Sequence, residues 1–144
     1  MFRCLILIAG LLLGAQAQEA IRFDHVARHV KDLKTSAAFY ENVVGLKPMK
    51  DPFNDGGHVW LRLGAQGELH LIAGAAQVPE QDMDVHMALR TPSMQPFIKK
   101  LDAANTKWFS SKHEEGKITD RPDGIKQIYF QDPDGYWIEV NAPK

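Results

Sequence analysis

Hydrophobic and polar residues alternate from Ile21 to Val30 (IRFDHVARHV), a spacing that predicts a β-strand with Ile21, Phe23, His25, Ala27 and His29 on one face. At Asp32 the period changes. Asp32 offers a helix N-cap, and Leu33, Ala37, Tyr40 and Val44 recur at helical spacing before Gly45 closes the helix. Three strands are then expected: Lys47 to Phe53, His58 to Leu63 and Glu68 to Ala73, separated by the turns Asn54-Asp55-Gly56-Gly57 and Gly64 to Gly67. Within them Val59, Leu61 and Leu63 oppose His58, Trp60 and Arg62, while Leu69 and Leu71 oppose Glu68, His70 and Ile72.

Gly74 to Asp82 carries little periodicity and reads as a linker, after which the pattern recurs. A strand is expected over Asp84 to Arg90, then a helix from about Met94 to Ala104 capped by Ser93 with Phe97, Ile98 and Leu101 inward, then a short strand near Trp108. A polar loop from Ser110 to Gly124 leads to the closing hairpin, QIYFQDPDGYWIEVN, whose tight turn is Asp132-Pro133-Asp134-Gly135. The fold class is α+β, with a βαβββ module written twice over about 21–73 and 84–141, forming a curved mixed sheet around a cup. Apolar residues fill one face of each module, and a mixed polar and aromatic face lines the shared cavity, where ligands sit.

The first 17 residues differ in kind. Arg3 precedes a continuous apolar run, Leu5 to Gly14, and Ala15-Gln16-Ala17 is a small-x-small cleavage signal, so Met1 to Ala17 reads as a secretory signal peptide and residues 18–144 as the mature domain. The apolar run is too short to span a bilayer. Export predicts a periplasmic or secreted protein, free of the membrane once cleaved. The only cysteine, Cys4, lies inside this segment, so the mature chain has no disulfide, thiolate ligand or cysteine nucleophile. At 144 residues, 44% hydrophobic, 24% charged and a net charge of -1, the chain reads as one globular domain without the basic footprint of a nucleic-acid partner.

Glu139 brings in the chemistry. On its strand it shares a face with Trp137 and Asn141, opposite Tyr136, Ile138 and Val140. A carboxylate there needs a partner unless it is solvated. The predicted faces collect His25, His70, His86 and Glu139 in the cavity, one from each of four strands and at equivalent places in the two modules. Two imidazoles and a carboxylate are ligands suited to Zn, Ni, Mn or Fe(II). His29, Arg62, Arg90 and Tyr129 share the same faces as candidate substrate contacts, with Trp60 and Trp137 as an apolar wall.

The segments DHVARHVKDLKTSAAFYENVVGL, GELHLI, DVHMAL and YFQDPDGYWIEV resemble the signature segments of the vicinal oxygen chelate superfamily. Its members include glyoxalase I, methylmalonyl-CoA epimerase, extradiol dioxygenases, and fosfomycin and bleomycin resistance proteins. The resemblance implies paired βαβββ modules forming a metal-holding cup, completed in many members by a homodimer. It places the metal ligands on His25, His86 and Glu139, and the variable fourth-strand position on His70, where glyoxalase I usually has Glu. His70 is then either a fourth ligand or a general base. The expected function is that of an exported, metal-dependent, glyoxalase-like lyase or isomerase acting on a small oxygenated molecule. The alternatives are a non-catalytic small-molecule-binding protein of the bleomycin-resistance kind and an Fe(II) extradiol-type dioxygenase.

Overall fold

The structure is a computed structural model that describes residues 21–144; the expected signal peptide, residues 1–17, lies outside them. Two sheets carry the architecture. The first holds β1 (His25–Val30), β4 (Gly67–Ala73), β3 (His58–Leu63) and β2 (Lys47–Pro48) in that spatial order, with β1 parallel to β4 and the other pairs antiparallel. The second holds β5 (His86–Arg90), β9 (Trp137–Ala142), β8 (Lys126–Gln131) and β6 (Trp108–Phe109), again with only the first pair parallel, and β7 (Thr119–Asp120) pairs beside β8. β1 and β5 therefore each stand at the edge of their sheet.

Each first strand feeds a helix. In α1 (Leu33–Phe39) the Asp32 carboxylate caps the helix by accepting the Thr35 amide at 2.7 Å. The expected continuation to Gly45 is present but changes geometry: Tyr40–Val44 forms a π-helical turn, and Gly45 ends it in the left-handed region at φ 91°. α2 (Met94–Ala103) begins at Ser93, which is extended as a cap residue is but makes no side-chain capping bond.

Elsewhere the strands are shorter than the alternation predicts. Of the expected Lys47 to Phe53 strand, Lys47–Pro48 forms strand, followed by one further bond from the Met49 amide to the Trp60 carbonyl at 2.8 Å. Pro48 and Pro52 lack the N–H a ladder needs, and the Asp51 carboxylate takes the Phe53 and Asn54 amides into a side-chain-capped turn. The start of β5 is likewise delayed to His86, because the Val85 amide turns back to the Asp82 carbonyl at 2.9 Å. The polar loop gives up Thr119–Asp120 to strand, with Lys126 paired to Asp120 at 2.6 Å, so Glu139 lies on the ninth strand and not an eighth.

One core joins the modules. Leu61, Leu69 and Leu71 from the first sheet meet Ile128, Phe130, Ile138 and Val140 from the second, with Tyr40, Phe97, Ile98 and Leu101 from the helical segments. The closing turn fastens them together through buried polar contacts. Asp132 accepts the Tyr40 hydroxyl at 2.7 Å; Asp134 accepts the Ser36 hydroxyl at 2.7 Å and the Lys31 amide at 2.9 Å. Burial raises the Asp132 carboxyl above its ordinary value despite those donors, and raises Tyr40 well above its own.

Candidate metal centre

Because side chains alternate and the ladders fix which residues lie abreast, the first sheet puts His25, Glu68, His70, Trp60 and Arg62 on one face. His25 lies beside Glu68 and Trp60 beside His70. The buried imidazole of His70 is stacked between two rings, Trp60 at 3.7 Å and His25 at 4.3 Å between centroids. Its Nε2 lies 2.9 Å from Glu68 Oε2. His25 Nδ1 lies 2.7 Å from Asp24.

The second sheet repeats the register with other residues. His86 takes the place of His25, Glu139 that of His70, Tyr129 that of Trp60 and Trp137 that of Glu68. Buried Glu139 accepts the Tyr129 hydroxyl on Oε2 at 2.7 Å and the Asn141 amide on Oε1. Burial works to raise its pKa, but hydrogen bonds from Tyr129, Asn141 and Gln127, joined by His86 when that ring is protonated, outweigh it, so the carboxyl is held below its ordinary value. Burial and that same carboxylate push the Tyr129 hydroxyl far above its usual value, so Tyr129 stays a donor.

His86 Nδ1 lies 2.7 Å from the Met83 carbonyl, which only accepts, so Nδ1 carries the proton and the neutral ring keeps its lone pair on Nε2. That nitrogen stands 3.1 Å from Glu139 Oε2. Two acceptors so placed require a cation between them or a proton on the imidazole. Ligand atoms about 2.1 Å from one ion lie about 3.0 to 3.4 Å apart at octahedral or tetrahedral angles, and a ligating His characteristically gives its other N–H to a carbonyl or carboxylate. The donor set fits a divalent ion.

The predicted residues thus gather as two pairs, His25 with His70 and His86 with Glu139. Among the described residues no three His, Cys, Asp or Glu side chains come together in one ion-sized group. Arg62 stands 3.8 Å from Glu68, so its charge is partly engaged. His29 is exposed with Nε2 3.2 Å from the Ala73 carbonyl, and Arg90 is exposed abreast of Asn141.

Asn141 and Gln127, donors to Glu139, are not among the predicted site residues, although strand alternation places Asn141 on the face of Glu139. The Met83 carbonyl, a backbone atom, left no signal.

Residues 22–140 match the Glyoxalase/Bleomycin resistance protein/Dioxygenase superfamily. The chain is 31% identical over 126 residues to the protein YwbC of Bacillus subtilis (strain 168), described as uncharacterized, covering 83% of this chain and 96% of that one. It is 30% identical over 127 residues to Glyoxylase I 4 of Arabidopsis thaliana, covering 81% of this chain and 68% of the relative. In three dimensions it resembles the fosfomycin resistance protein FosX of Listeria monocytogenes, with a TM-score of 0.68 at 18% identity, covering 88% of this chain and 96% of that one. The chain belongs to the glyoxalase, bleomycin resistance protein and dioxygenase superfamily.

Proposed function

We propose that the chain is a divalent-metal-dependent enzyme of the glyoxalase-like lyase or isomerase type, acting on a small molecule with two neighbouring oxygens. The observation that carries this reading is the facing of His86 Nε2 and Glu139 Oε2 at 3.1 Å, with the other nitrogen of His86 already committed to Met83. His86 and Glu139 hold the ion, and His25 is the third ligand, supplied by a second copy. Two observations support a homodimer: each half of the ligand set lies on a different sheet, and β1 and β5, which carry His25 and His86, each have an unpaired edge.

When bound, a Zn, Ni, Mn or Fe(II) ion supplies positive charge beside the substrate oxygens, a Lewis-acid contribution of several kcal/mol. The chain's own residues do the rest. Tyr129, Asn141 and Gln127 keep Glu139 ionised. His70 is the proton acceptor, with its ring plane set by Trp60 and His25. Trp60 and Trp137 exclude water from one side each. The apolar N-terminal run supports export to the periplasm or medium, where free small-molecule substrates are met.

A second reading, an Fe(II) enzyme acting on an aromatic diol, is favoured by the aromatic lining. Phe53 meets Trp60 edge-on at 6.2 Å on the first sheet, and Phe109 meets Trp137 at 5.9 Å on the second. Elemental analysis of the purified, unchelated protein beside Glu139→Ala tests both. Near-stoichiometric metal lost in the variant supports the enzyme, and the metal's identity sorts lyase from dioxygenase. No metal in either, with remetallation failing, overturns it and leaves a metal-free binding protein.

A further inference from the structure

We propose that Glu68 is a positioning residue that decides which nitrogen of His70 is free to accept a proton. The inference is independent of metal binding; it rests on the proposed function only for the use to which that nitrogen is put.

Trp60 and His25 clamp the His70 ring on both faces, at 3.7 and 4.3 Å, which fixes the plane of the imidazole. Stacking alone does not choose between the two in-plane orientations of the ring, nor between its two tautomers, because the two faces of an imidazole present the same π surface to their neighbours. Glu68 makes that choice. It lies two residues back on the same face of β4, so its carboxylate runs along the strand to the far end of the ring, and Oε2 meets Nε2 at 2.9 Å. A carboxylate accepts and does not donate, so Nε2 holds the proton and the lone pair falls on Nδ1. Arg62, abreast of Glu68 and 3.8 Å away, faces the other carboxylate oxygen.

The consequence separates His70 from the other two histidines of the site. His25 and His86 have Nδ1 occupied, by Asp24 and by the Met83 carbonyl, and so offer Nε2. Of these three, His70 is the one held by a carboxylate through Nε2 with Nδ1 left free. The second module has no such arrangement, since Trp137 occupies the position equivalent to Glu68. When His70 accepts a proton on Nδ1, the electron pair of the broken bond stays on the substrate, and the imidazolium remains paired to Glu68.

Long-range 1H–15N correlation spectra of the full-length, metal-free protein labelled with 15N-histidine test the assignment. In the wild type, His70 is expected to show a protonated, water-protected Nε2 and an unprotonated Nδ1. Glu68→Gln, whose amide oxygen still accepts, retains that pattern. Glu68→Ala loses the protected Nε2 proton, and the two 15N shifts move toward each other as the second tautomer is populated, with the amide spectrum otherwise that of the folded protein. A wild-type ring protonated on Nδ1 overturns the proposal, as does a Glu68→Ala spectrum that keeps the protected proton. Metal uptake by Glu68→Ala is the companion measurement: unchanged uptake supports a positioning role, and lost uptake overturns it by placing the pair within the ion site. Absence of metal in the wild type bears on the proposed function alone and leaves the spectra to decide this one.

Discussion

Abreast positions on the two sheets have been given unlike work. The second sheet surrounds Glu139 with donors, so that a buried carboxylate stays charged and faces His86. The first sheet surrounds His70 with rings and a single carboxylate, so that an imidazole is held in plane with one nitrogen engaged. The ladder register is the same in both, residue for residue. What differs is the residue at the shared position and whether its neighbours are donors to an anion or faces against a ring.

The sharpest way to break this contrast is to exchange losses. Glu139→Ala is expected to bring bound metal from near stoichiometry to near zero by elemental analysis, whereas His70→Ala keeps the metal and loses turnover. Equal loss of metal in both would erase the distinction between the sheets. A smaller effect on the same side comes from Tyr129→Phe, which removes a donor to Glu139 and is expected to weaken metal affinity by about 10- to 100-fold in a chelator competition. Trp60→Phe, at the equivalent place on the first sheet, leaves affinity unchanged.

The turns that close the two sheets differ in the same spirit. Asp134→Ala strands the buried Ser36 hydroxyl and Lys31 amide and is expected to cost about 2 to 4 kcal/mol in urea denaturation. Gln66→Ala, in the exposed turn between β3 and β4, should fall within about 0.5 kcal/mol. In the metal-free protein two of the buried carboxyls, Glu139 and Asp132, are shifted with opposite signs. Glu139 is lowered on folding, so its contribution to stability is full above the ordinary carboxylate value and is lost as pH falls through the depressed one. Asp132 is raised, so its contribution is present below the ordinary value and is lost as pH rises through the elevated one. Denaturation midpoints across about pH 3 to 7, the range in which such groups titrate, are expected to flatten in opposite directions for Glu139→Gln and Asp132→Asn. Least of all, Asp32→Ala should lower the thermal midpoint more than Ser93→Ala, because only Asp32 bonds its helix.

Much of this was legible in the chain. Alternation in IRFDHVARHV and in GYWIEVN put His25 and Glu139 on the right faces, because the two-residue period of a strand is a local property. Strand ends were less so: Pro52 and the Asp51 side chain dissolve the end of one predicted strand, and a backbone turn from the Val85 amide to the Asp82 carbonyl delays another, so turn hydrogen bonds win over ladder ones. Thr119–Asp120 was hidden in a polar loop because an edge strand with one paired neighbour needs no apolar face. The separation of the four candidate ligands into pairs was out of reach, since it depends on how two sheets pack and not on any spacing within either.

The fastening of Asp132 and Asp134 onto Ser36, Tyr40 and Lys31 has a consequence in time. These bonds join residues 98, 92 and 103 positions apart, so the first helix has no seat for its polar groups until the last hairpin exists. Contacts of such long sequence separation are slow to form. A chain emerging from the ribosome therefore carries an unfinished first half until its closing hairpin has been made.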